Sequence, residues 1–129
     1  MDTLNPESVG ALFPLLYTQR RIDDWQALFH PQAPAIRVEQ RATPEIAFFS
    51  LGAMLAGQQD YQRENRHIHE RWDNVEVHRF GNIAVVRADY VLEADHEVRR
   101  GCDVLTMARA GDTWRIVSLV YEQTSLAGR

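Results

Sequence analysis

From about residue 66 onward the apolar residues recur at every second position, where before they recur at every third or fourth. This switch constrains the fold more than any other feature, because a spacing of two buries one face of a strand but not one stripe of a helix. Two Gly-led dipeptides, Gly81-Asn82 and Gly111-Asp112, interrupt the alternation and read as two-residue hairpin loops. A polar stretch, EADHE at 93–97, reads as the loop between them. The strands so bounded carry Val75 and Val77, then Ile83 to Leu92, then Cys102 to Arg109, then Trp114 to about Gln123, which predicts an antiparallel meander.

The first half of the chain is helical in spacing. Asn5-Pro6-Glu7 supplies a cap residue, a proline for the first helical position and an acid for the first turn. Val9, Leu12, Phe13 and Leu16 follow at helical intervals, with Pro14 expected to kink the run. Ile22, Trp25, Leu28 and Phe29 form the apolar face of a second short helix, which ends before His30-Pro31. Ala35 to Val38 reads as a short strand. Thr43-Pro44-Glu45 repeats the cap signal. It predicts a third helix carrying Ile46, Phe48, Phe49, Leu51, Met54 and Leu55, apolar nearly all round and therefore buried, ended by Gly57. Three helices and then a meander predict a single α+β domain over 1–129, the helices packed on one face of a curved antiparallel sheet.

Register decides which residues share a face. Loops centred on Gly81-Asn82, His96 and Gly111-Asp112 set Val77 opposite Val86, Val75 opposite Ala88 and Asp73 opposite Tyr90. They also set Val86 opposite Thr106, Tyr90 opposite Cys102, Val104 opposite Leu119 and Cys102 opposite Tyr121. One face then carries Val86, Thr106, Val104 and Leu119 beneath the helices. Beside them runs a polar row of Asp73, Tyr90, Cys102 and Tyr121, with Arg71 and Arg100 beyond. An apolar floor with a few convergent polar groups is the usual form of a small-molecule pocket. The opposite face carries Leu105, Met107, Trp114, Ile116 and Val120 among Arg87, Asp89, Asp103 and Arg109. That is more apolar surface than the outside of a monomer carries, so a homodimer packed sheet to sheet is expected.

The charge balance narrows the partners. Fourteen Lys and Arg against eighteen Asp and Glu give a net charge of −4, the wrong sign for a nucleic-acid footprint. The one cysteine, Cys102, builds no disulfide framework. No apolar run approaches the ~20 residues of a membrane span. The first ten residues, MDTLNPESVG, lack the basic and apolar regions of a secretory leader, so a cytoplasmic protein away from membranes is expected. His67 and His69 alternate along an extended segment with Asp73 on the same parity, a spacing that belongs more often to surface histidines than to a metal site. With no Gly-rich phosphate loop either, no metal and no cofactor are expected.

The stretches DVLTMARAGDTWRIVSL at 103–119 and RFGNIAVVRADYVL at 79–92, together with the order and spacing of the helices, resemble the NTF2-like superfamily. This is the cone-shaped, cystatin-like α+β fold of nuclear transport factor 2, ketosteroid isomerase and the SnoaL-like polyketide cyclases. The resemblance spans most of the chain and implies a fold that hosts enzymes, binders and scaffolds. The isomerases of that family use a tyrosine in the first helix, a carboxylate base just after the second, and a protonated acid on the strand before the last hairpin. Here the tyrosine position falls on Phe13, with Tyr17 one helical turn further on. The base position falls near Arg37 or Val38, and the acid position on Thr106. None of the three groups matches, which implies that the isomerases' route of proton transfer is absent.

The expected function is binding of a hydrophobic or aromatic small molecule. Any catalysis is expected to be cofactor-free acid–base chemistry of the isomerase or cyclase kind, carried by Asp73 and Tyr90. Tyr17, Tyr121, Thr106, Cys102, Val86, Val104, Leu119 and Arg71 are the expected ligand-binding residues. The competing expectation is a non-catalytic dimerisation or accessory module, its cavity plugged by Phe48, Phe49 and Trp72.

Overall fold

The computed structural model describes residues 4–40 and 42–128. Met1, Asp2 and Thr3, which open the segment read for a leader, lie outside them. The elements follow in the order α1 (Val9–Thr18), α2 (Ile22–Gln26), β1 (Ala35–Glu39), β2 (Glu45–Phe49), α3 (Leu51–Glu64), β3 (Ile68–Phe80), β4 (Ile83–Ala94), β5 (Glu97–Ala110) and β6 (Thr113–Gly128). The six strands form one sheet in the order β2-β1-β6-β5-β4-β3. Every neighbouring pair is antiparallel except β1 and β6, which run parallel. The fold is α+β, a curved open sheet with the helices against its inner face.

The third helix starts later than its cap signal suggests. Glu45–Phe49 is the edge strand β2, with Ile36 opposite Phe48. EIAFF is rich in β-branched and aromatic residues, which suits a pleated surface better than a helical turn. The helix begins at Leu51, and the Ser50 hydroxyl caps it by accepting the Ala53 N–H at 3.1 Å. It runs past Gly57 to Glu64 and buries only Leu51, Met54, Leu55 and Gln62, so it is amphipathic rather than buried all round. Ile46 and Phe48 stand exposed on β2.

Both Gly-led loops pair as expected, Phe80 with Ile83 and Ala110 with Thr113, and Val77 lies opposite Val86. Gly81 and Gly111 take φ of +66° and +60°, which is why glycine opens each turn. The connection between β4 and β5 differs. Glu93 pairs with Val98, Tyr90 with Gly101 and Val86 with Leu105. The turn therefore centres between Asp95 and His96, not on His96. The Asp95 carboxylate holds it there by accepting the Arg66 and His67 N–H groups, each at 2.8 Å. This half-step reverses the faces of β5.

Three irregularities add to the reversal and bend the sheet. On β3 the register shifts between Asp73 and Glu76, where Asn74 has φ +54°. On β6 the register steps over Val117 and over Thr124. Leu105, Met107, Trp114 and Ile116 consequently point into the core and cannot form a dimer face; Leu105, Met107 and Ile116 are 0% exposed. Of the residues expected in that interface, only Val120 lies on the outer side. The step at Val117 restores the phase, so Leu119 returns to the inside. An aromatic cluster seats the helices on the sheet: Phe13 lies 4.6 Å from Trp72 and 5.1 Å from Trp25 between ring centres, and Tyr17 lies 5.6 Å from Trp25.

Candidate functional site

Between the inner face of the sheet and helices α1 and α3 lies a cavity of about 660 Å³. Phe13, Tyr17, Trp25, Met54 and Tyr61 wall it from the helical side, and Tyr90, Leu92, Leu119 and Tyr121 from the sheet. Two carboxylates, Glu70 on β3 and Asp103 on β5, sit in its depth. Arg37, Glu39 and Arg99 lie nearer solvent, beside Gln123, Thr124 and Ser125 of the β6 tail.

Glu70 and Asp103 decide the chemistry of the floor. Asp103 is 5% exposed, and burial pushes its carboxyl up to about 7. The Trp72 indole lies close enough to moderate that rise, yet its N–H has no partner in hydrogen-bonding geometry. Glu70 is raised well above the usual carboxylate range, first by burial and then by the charge of Asp103. One Glu70 oxygen, Oε1, is buried without a hydrogen-bond partner. Glu70 keeps some accessible surface although protein atoms surround it, because that surface faces the cavity. Burial and the charge of Asp103 on Glu70 oppose ionisation of both carboxyl groups, so the pair retains a proton near neutrality.

Two phenols share the floor. Tyr17 donates to Gln58 Oε1 at 2.6 Å, and Gln62 Nε2 donates to the Tyr17 carbonyl at 3.0 Å. Burial, and then the neighbouring Glu70, hold the Tyr17 phenol far above its ordinary range. Burial and then Asp103 do the same to Tyr90. Tyr90 lies flat against β5 because residue 101 is glycine: a Cβ there would stand 2.6 Å from the Tyr90 ring and 2.0 Å from the Glu122 carbonyl oxygen. Both phenols are thus fixed as neutral hydrogen-bond donors.

The cavity gathers some of the residues expected from the sequence and leaves others out. Tyr17, Tyr90, Tyr121 and Leu119 line it. Val86, 0% exposed, belongs to the packed core and not to the lining. Thr106, Cys102 and Val104 face the other side of the sheet, a consequence of the half-step at Asp95. Asp73 is half-exposed, pairs with Arg71 at 3.2 Å and lies opposite Asp89, because the irregularity at Asn74 shifts it from Tyr90. Arg71 shares that outer position. Of the expected plugs, Phe48 is 72% exposed, Trp72 packs on Phe13, and Phe49 alone reaches the lining.

Glu70 and Asp103 are the residues that the expected register passed over. Asp103 shares its parity with Leu105 and Met107, the bulkiest apolar residues of β5, and Glu70 shares its parity with Ile68 and Trp72. Assigning the larger apolar set to the interior brings both acids into the cavity. The buried acid on the strand before the last hairpin is therefore Asp103 rather than Thr106, and Tyr17 stands in the first helix above it. Arg37 occupies the wall where a base was looked for.

A curved sheet closing with helices over an internal cavity defines an NTF2-like cone. A family profile described as "Putative lumazine-binding" matches residues 16–122, and the chain belongs to that family. Among similar solved structures is the beta subunit of a "putative aromatic-ring-hydroxylating dioxygenase" from Novosphingobium aromaticivorans, 18% identical over 94% of this chain and 88% of that one, with a TM-score of 0.71. A "Putative Scytalone Dehydratase" from the same organism is 13% identical over 95% of this chain and 84% of that one, with a TM-score of 0.73. A hexachlorocyclohexane dehydrochlorinase, LinA type 2, is 6% identical over 95% and 85%, with a TM-score of 0.74. At these identities the likeness is one of fold. No curated protein sequence matches the chain.

Proposed function

We propose that the chain binds a planar hydrophobic or aromatic small molecule in this cavity and acts on it by cofactor-free acid–base chemistry. The observation that carries the reading is the Glu70–Asp103 pair, two buried carboxyl groups facing an open cavity, both made weaker acids by burial. A pair that keeps one proton near pH 7 has a base and an acid side by side. The ionised carboxylate takes a proton from a ligand carbon next to a carbonyl or a leaving group. The neutral phenol of Tyr90 donates a hydrogen bond to the oxygen that gains charge, while Tyr17, whose proton goes to Gln58, holds the wall beside it. Return of the proton to another ligand atom gives isomerisation, and loss of the leaving group gives elimination. The names of two similar structures, a dehydratase and a dehydrochlorinase, describe eliminations in those proteins. The family description names lumazine, a flat bicyclic ring of a kind that suits aromatic walls.

The unplugged cavity weighs against a purely structural accessory module. A homodimer through the outer face of the sheet, in the cytoplasm, completes the proposal; among the described residues no helix is long and apolar enough to cross a membrane. The test is native mass spectrometry of the protein purified from its own host. A retained small molecule, lost when Leu119→Trp fills the cavity, is expected. No adduct, with no thermal stabilisation by a panel of aromatic acids, aromatic ketones and lumazine, would sink the reading.

A further inference from the structure

Two arginines that line the cavity, on the strands either side of β6, are built alike. Arg37 pairs with Glu39, two residues along β1, at 2.7 Å, and its guanidinium stacks 5.0 Å from the centre of the Phe49 ring. Arg99 pairs with Glu97, two residues back on β5, and stacks 4.7 Å from the Tyr61 ring. In each case one carboxylate and one aromatic face fix the plane of the guanidinium. A guanidinium has five N–H donors, and a single side-on carboxylate occupies one or two of them. The Arg37 Nε–H is moreover buried with no acceptor, so one donor of the fork is unsatisfied within the wall. Both cations act on Tyr121, which lies opposite Arg37 in the register and lines the cavity.

The depth of the cavity therefore holds two acids, whereas its outer end, where each guanidinium is ion-paired, offers fixed N–H donors. We infer that the ligand is an aromatic acid, its ring seated among the aromatic walls and its carboxylate held near Tyr121 by Arg37 and Arg99. The inference rests on the cavity being a ligand site, as proposed above. The reverse orientation is the less favourable one, since a ligand carboxylate beside Glu70 and Asp103 adds a third acid to two that burial already drives toward their neutral forms and meets no guanidinium there. A neutral ring lacks the charge-assisted contacts at the outer end and is bound less tightly.

Isothermal titration of the intact protein at pH 7.5 with 1-naphthaleneacetate and its neutral isostere 1-naphthaleneacetamide separates the possibilities. The acid is expected to bind about ten-fold more tightly than the amide. Arg37→Gln and Arg99→Gln should each bring that ratio toward one. Two variants on different strands guard against a fold defect in either, and the ratio in the unmodified protein needs no variant at all. Equal affinity for the two probes would overturn the inference while leaving the cavity as a binding site. Binding of neither probe would overturn it together with the reading on which it rests.

Discussion

At the scale of single residues, the buried carboxyl pair has consequences that titration can read. Asp103 is raised in the folded protein, chiefly by burial, to about 7. In the unfolded chain it titrates near the ordinary value of about 3.9. Between these values the folded state holds more protons at Asp103 than the unfolded one, so this group's contribution to stability is fully present below about pH 4 and is lost as pH rises through 7. Asp103→Asn removes that titration and keeps the shape. Its stability relative to the parent should therefore improve by roughly 2–4 kcal/mol between pH 5 and pH 8. Urea denaturation at the two pH values checks this, and parallel curves would mean that Asp103 does not hold a proton. Glu70→Gln should act in the same direction, because burial and the Asp103 charge also raise Glu70. The identity of these acids was present in the sequence as parity: each alternates with the bulkiest apolar residues of its strand. Asp73 stands opposite Tyr90 only in a regular ladder, and one extra residue at Asn74 is enough to carry it to the outside.

At the scale of elements, what could be read depended on whether a signal is local. The Gly-led hairpins and the short β1 follow from one or two residues each, and both are present; the second helix stops at Gln26, short of His30-Pro31, so Leu28 and Phe29 lie beyond it. The β4–β5 turn depends on a contact between segments, the Asp95 carboxylate with the Arg66 and His67 amides, so no spacing rule fixes its centre. The switch from strand to helix at Ser50 is local and rests on the cap. Ser50→Ala should destabilise the protein by about 1 kcal/mol through the start of α3, measurable as a shift in the thermal midpoint. Gly101 is the other element-level control. Gly101→Ala places a methyl group against the Glu122 carbonyl and the Tyr90 ring, neither of which can yield without moving strand backbone or displacing the phenol. A loss of roughly 3 kcal/mol or more is expected, with any aromatic-ligand binding impaired further than stability alone explains. A variant as stable as its parent would show that β5 and β6 are looser there than the register implies.

At the scale of the whole molecule, the two faces of the sheet separate folding from association. The inner face is the core, so Trp114→Glu, at a 4% exposed position, should unfold the chain rather than dissociate a dimer. The outer face carries a row in which Phe48, Ile36, Val120 and Val104 are successive neighbours across four strands, continued by Arg87 and Glu76. Phe48 at its end is 72% exposed. A two-fold axis through such a row sets apolar side chains against their copies and leaves the Arg87–Glu76 pair, 3.9 Å apart, at the rim. A stable dimer needs about 1,200 Å² of buried surface in total, which a sheet face of this width can supply. Sedimentation equilibrium at tens of micromolar, a concentration chosen as an order of magnitude for obligate assemblies, should give twice the chain mass. Val104→Lys should give the single mass with its inner-face packing intact, because Val104 points away from Leu105 and the core. Retained near-ultraviolet dichroism in that monomer would show that the outer face holds only the assembly. A single mass for the unmodified protein at every concentration would leave the outer row with no partner and remove the dimer from the proposal.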